Sequence, residues 1–110
     1  MYVPDKWIMV EIKGTDPHYR IFGSWSGGYL GSDEWRLNSG VVEVEDADSH
    51  WLFYGHTGSV YKCSKEMYGV TAYGWDALNR MIERSDGTMK ALSDQNEAMV
   101  NFLVYNDTGV

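Results

Sequence analysis

The stretch 22–63, FGSWSGGYLGSDEWRLNSGVVEVEDADSHWLFYGHTGSVYKC, decides the fold class. Across the run from His18 to Cys63, short aromatic and β-branched segments alternate with clusters of Gly, Ser, Asn and Asp. That pattern predicts consecutive short strands joined by tight turns, and so a small, mostly antiparallel β domain. His18–Trp25 reads as one strand, with Tyr19, Ile21 and Trp25 on one face and His18, Arg20, Phe22 and Ser24 on the other. Gly23 within it suggests a bulge or sharp bend. Ser26–Ser32 is a glycine-rich loop. Glu34–Asn38 and Val41–Glu45, interrupted by Ser39-Gly40, read as one bulged strand in preference to a hairpin. His50–Gly55 is apolar on both faces, as a covered central strand is. His56–Gly58 forms a hairpin turn, from which Ser59–Cys63 pairs back.

Outward from that run, Lys6–Lys13 alternates. Ile8, Val10 and Ile12 oppose Met9, Glu11 and Lys13, which predicts a half-buried strand. Gly14–Pro17 turns. After Gly69 the period changes: Thr71 caps a helix running to about Arg84, with Ala72, Trp75, Leu78 and Ile82 on its apolar side. Gly74 weakens this helix by about 1 kcal/mol relative to Ala. Ser85–Gly87 ends it, and Ser93 or Asp94 caps a second helix with the stripe Gln95, Ala98, Met99, Phe102 and Leu103. Its 3.6-residue period extends back through Ala91 and Leu92; a final strand, VNFLVY, is the alternative for the tail, and Asn106–Val110 is expected to fray. The expected whole is a mainly β (α+β) single domain over 1–110. It is a five- or six-stranded, strongly bent antiparallel sheet or partly open barrel of SH3-like or Sm-like type, with C-terminal helices over one opening. An OB-like barrel is the alternative.

Composition narrows the function classes. The chain has 110 residues, 44% hydrophobic and 15% aromatic, enough for one core. Its formal charge of −7 leaves nine Lys and Arg scattered singly, with no basic patch for nucleic acid or an anionic membrane. The one cysteine, Cys63, forms no intramolecular disulfide and no cysteine-rich zinc site. With no signal-like start and no membrane-length apolar run, a reducing cytoplasmic setting is the expectation.

Four polar groupings each carry a weak chemical reading. Cys63 with a histidine would make a nucleophile and base, but no local signature surrounds it. Asp46-x-Asp48-x-His50 has the alternation of a strand-borne metal site, yet Asp is equally at home in a turn, and the glycine and distal glutamate of a calcium loop are missing; no metal and no cofactor is assigned. Asp33, Glu34, Glu43 and Glu45 offer an acid and base pair no more specifically than any acidic sheet. Gly27-Gly28 lacks the lysine and strand-to-helix context of a phosphate loop.

The rings are the stronger signal. Trp25, Tyr29, Trp35, Trp51, Phe53, Tyr54 and Tyr61 outnumber what one small barrel interior holds, so some are expected in an interface or a ligand surface. Tyr29 and Trp35, flanking the glycine-rich loop, are the foremost candidates, with Trp25 behind them and His50 and His56 as weaker polar candidates.

The string GSWSGGYLGSDEWRLNSGVVEVE, followed by WLFYGHTGSVYKC and EMYG, resembles a group of short proteins of tailed phages, marine ones among them, over roughly residues 1–83. The resemblance implies a phage-encoded or environmental origin, hence a host cytoplasm, and carries no residue roles. The expected function is a non-enzymatic, self-associating binding or assembly module, with a protein partner also compatible. A small metal-dependent hydrolase using His50 or His56, and an aromatic-face nucleic-acid barrel, are the alternatives.

Overall fold

The computed structural model describes residues 1–27 and 33–108. Among them run β1 (Lys6–Ile12), β2 (His18–Trp25), β3 (Glu34–Leu37), β4 (Val41–Ala47), β5 (His50–Gly55), β6 (Val60–Ser64), α1 (Ala72–Arg84), β7 (Met89–Leu92) and α2 (Gln95–Thr108). The strands form two antiparallel sheets, β3-β2-β1-β7 and β4-β5-β6, which do not close into a barrel. The mainly β, α+β expectation therefore holds, but the strands divide between two sheets where one bent sheet was expected.

The division follows from the two faces of β1 and β2. Trp7, Met9, Tyr19 and Ile21 meet Phe53, Tyr61 and Cys63 of the second sheet, together with Ala98, Met99 and Phe102 of α2. Ile8, Val10 and Phe22, on the opposite face, meet Leu78 of α1. So β1 is covered on both faces, where alternation alone predicts a half-buried strand: α1 takes the Ile8 and Val10 side, and the second sheet with α2 packs on the Met9 side that the pattern leaves for solvent. Each such large side chain removed from water stabilises by about 1.5–3 kcal/mol. Trp7 ties the layers together: its Nε1 donates to the Ser64 carbonyl at 2.6 Å, and its ring lies against Phe53 and edge-on to Tyr68.

The chain changes sheets at Asn38–Gly40, so Glu34–Asn38 and Val41–Glu45 are neither one strand nor a hairpin. Buried Asn38 makes the crossing possible. Its main-chain N–H donates to the Ile21 carbonyl while its Oδ1 accepts from the Ile21 N–H at 2.9 Å, so the side chain continues the ladder that the backbone is leaving. Oδ1 also accepts from the Gly40 N–H, and Gly40 takes φ +131°, a conformation glycine adopts without strain. The bulge expected at Gly23 lies instead at Val41/Glu43. Gly23 stays in register between Trp7 and Arg36, and a Cβ there would sit 3.1 Å from Pro4 Cβ, so it makes room for the N-terminal arm.

The turn expected over Asp46–Ser49 is confined to Asp48 and Ser49, because Asp46 and Ala47 continue β4 and pair with Trp51 and His50; the Asp46 carboxylate accepts from the Asp48 N–H. The β5–β6 hairpin closes through Gly55 N–H to Ser59 O. Thr71 caps α1, its hydroxyl accepting from the Gly74 N–H at 3.1 Å. Two expectations for the C-terminal third are corrected. Ala91 and Leu92 belong to β7, paired with β1, and are not a helical extension. On α1, Trp75 is exposed, and the buried side is Gly74 and Leu78, flanked by Met81 and Ile82. The tail is helical, as expected, with Asp94 accepting from the Glu97 N–H; Leu103 faces outward.

Candidate functional site

Three large rings are exposed among the described residues: Trp35 at 37%, Tyr73 at 50% and Trp75 at 45%. Trp35 and Tyr73 line one hollow of about 290 Å³ between β3 and α1, with Asp76, Arg80, Met81 and Arg84. The register explains how Trp35 arrives there. It pairs with Ser24, on the α1 side of the sheet, and stacks on the diagonal neighbour Phe22 at 5.5 Å and 12°. One face of the indole thus covers the core while the other faces the hollow. Across from it, Tyr73, Ala77, Arg80 and Arg84 recur at helical spacing along one stripe of α1. Arg80 pairs with Asp76 one turn earlier. Trp75, two residues from Tyr73, projects from another side of the helix and takes no part in the hollow.

The other sequence-derived candidates do not gather at this hollow. Tyr29 lies outside the described residues. Trp25 pairs with Glu34, which puts it on the opposite face of the sheet from Trp35. There it packs against the core and its Nε1 donates to the Val3 carbonyl at 2.9 Å, clamping the N-terminal arm. His50 and His56 stand at or just beyond opposite ends of β5. The His50 ring bonds the Ser49 hydroxyl. His56 instead lines a second hollow, with His18 and Arg20, at the seam between the sheets. The sequence pattern puts Arg80 and Arg84 on the polar side of α1 and assigns Tyr73 to no face; the signal for Tyr73 is a large ring outside the apolar stripe.

The polar groupings resolve into structural contacts. Cys63 is fully buried, and burial pushes its thiol far above the ordinary range, so it stays protonated in the core. The hydrogen bond from Lys65 holds the Asp46 carboxyl below its usual value, so this acid serves an ion pair. Glu45 accepts from the Tyr54 hydroxyl, and Asp33 from the Gly27 N–H. No three His, Cys, Asp or Glu among the described residues group to hold a metal ion. No helix among them is long and apolar enough to cross a membrane. Compared with protein-family models, curated proteins and solved structures, the chain matches none.

Proposed function

We propose that this protein is a non-catalytic assembly module that pairs with a second copy of itself through the β3–α1 face. The observation that carries the reading is the pair Trp35 and Tyr73, both exposed, opposed across one hollow and set beside arginines. Trp, Tyr and Arg are the residues that dominate interface energetics: the two rings bring much contact area with few rotors to freeze, and the guanidinium brings a planar, pre-organised fork of donors. β3, beside the hollow, is an edge strand of its sheet, where a second copy can pair. The chain carries −7 overall, so two copies repel over most of their surface. The hollow has two arginines against one acid, and approach is least opposed there.

Light scattering on the full chain, after size-exclusion chromatography at micromolar concentration, tests the proposal. A dimer is expected, and Tyr73→Ser is expected to shift it to monomer with its circular dichroism unchanged and its Tm no longer dependent on protein concentration. Trp75→Ser, on another side of α1, is expected to leave it dimeric. A monomer throughout the micromolar range, or a dimer indifferent to Tyr73, removes the reading.

A further inference from the structure

The seam hollow, about 410 Å³, is lined by Asp16, His18, Arg20 and His56, and it differs in chemistry from the β3–α1 face. We propose that it binds a small organic oxyanion, a carboxylate or phosphate monoester carried on a flat or apolar body. Arg20 is the centre of the argument. Its Nε donates to His18 Nε2 at 3.0 Å. That acceptor role fixes the tautomer: the proton sits on His18 Nδ1, which donates to the Asp16 carbonyl at 2.7 Å. The guanidinium is therefore held by a ring that is itself held by backbone. Its two terminal nitrogens have no carboxylate within ion-pair distance among the described residues, whereas Arg36 and Arg80 each have one. An oriented, unpaired guanidinium edge in a −7 chain is a fork for a planar oxyanion.

The rest of the hollow fits the same ligand. His56 stands on the facing lip, its backbone N–H donating to the Gly40 carbonyl at 2.9 Å, and offers a second ring donor. Gly40 keeps the wall thin: a Cβ there would lie 3.4 Å from the His18 ring. Val41, Val42 and the Tyr105 ring supply an apolar floor, with Val42 53% exposed. Asp16 is the acid at the rim. Glu11, in the neighbouring hollow beyond His18, already accepts from the Tyr19 hydroxyl. The volume is in the range of small-molecule sites, and a few convergent polar groups over an apolar base is how such sites are built.

The test is an amide-resolved NMR titration of the full chain with inorganic phosphate, phenyl phosphate, benzoate and, as the neutral control, benzyl alcohol. Saturating shifts are expected at Arg20, Gly40, Val42 and His56, with phenyl phosphate or benzoate binding more tightly than inorganic phosphate. Which of the two aryl anions binds better identifies the oxyanion. Arg20→Gln is expected to weaken binding by about tenfold or more, the value of one charge-assisted fork, with circular dichroism and unfolding midpoint kept. His56→Gln, at an exposed lip, is expected to weaken it several-fold. No saturating shift with any anion, shifts centred on Arg80 and Arg84, equal binding of benzyl alcohol, or undiminished binding by Arg20→Gln would overturn the proposal. The oligomeric state is read separately, so failure here leaves the assembly reading untouched.

Discussion

Gly74→Ala sets two opposing effects against each other, and the structure decides the sign. In an isolated helix the change stabilises by about 1 kcal/mol, because alanine loses less backbone entropy. In this fold the new Cβ would lie 2.8 Å from Ser24 Cβ, and 3.1 Å from both Thr71 Oγ1 and Val70 Cγ1. Carbon atoms in contact prefer about 3.5–4.0 Å, so α1 and β2 must separate. Ser24 cannot turn away, because the crowded atom is attached directly to the backbone of a fully buried strand residue. Overpacking of this kind costs about 1–3 kcal/mol. Separation also stretches the bond from Thr71 N–H to Ser24 Oγ, 3.1 Å, and the capping bond from Gly74 N–H to Thr71 Oγ1, each contributing about 1 kcal/mol. The expected net effect is a destabilisation of about 1–3 kcal/mol, or roughly 5 °C in Tm for each kcal/mol. Urea unfolding followed by tryptophan fluorescence and by circular dichroism measures it. A double-mutant cycle with Ser24→Gly should show the pair costing less than the sum of the single changes. A Gly74→Ala variant as stable as the wild type, or more so, would refute the close-approach argument and return Gly74 to a simple propensity defect.

Three further outcomes are expected. Burial pushes the Tyr68 hydroxyl up to about 12, while its O–H donates to the Leu92 carbonyl and accepts from the Met9 N–H. Tyr19 is likewise raised to about 12, by burial first and then by its bond to Glu11. A phenol whose pKa is higher folded than unfolded stabilises fully below about pH 10 and loses that contribution as pH rises through the folded value. Alkaline unfolding titrations should therefore show stability falling between about pH 10 and 12, less steeply in Tyr68→Phe, and an unchanged slope in that variant would count against it. Cys63, fully buried with its thiol kept protonated, should react with a thiol reagent only as fast as the protein opens, with urea accelerating it in step with unfolding; rapid stoichiometric labelling of native protein would contradict the core placement. Trp7→Phe should cost about 2–3 kcal/mol, since it removes the indole bond to the Ser64 carbonyl, which keeps only the Met67 N–H, and leaves a void between the sheets; a calorimetric loss well below 1 kcal/mol would show that Trp7 does not join the layers.

Local signals made many of the elements legible. His18–Trp25, His50–Gly55 and the β5–β6 turn could be read because alternation and glycine-bearing turns are short-range features. α1 could be read from Thr71 and a 3.6-residue period. Met89–Leu92 could not: four residues are too few for a period of 2 to stand out from 3.6, and only pairing with β1 makes them a strand. Trp35 was found as an exposed ring. Its partner Tyr73 was not, because which helical stripe meets β3 depends on how α1 docks. Trp75, given to the core by its spacing, lies outside it for the same reason.

The sequence by itself determined the class, the turns, the helix caps and the surplus of large rings, since each depends on residues within a few positions of one another. The tertiary structure decided the split into two sheets at Asn38–Gly40, the burial of both faces of β1, the need for glycine at position 74, and the arrival of His56 beside Arg20 and His18 at the seam. These depend on which strands and helices face each other. That choice is made by the burial of Trp7, Phe53 and Phe102 together in one core, an energy shared across the whole chain and written in no single stretch of it.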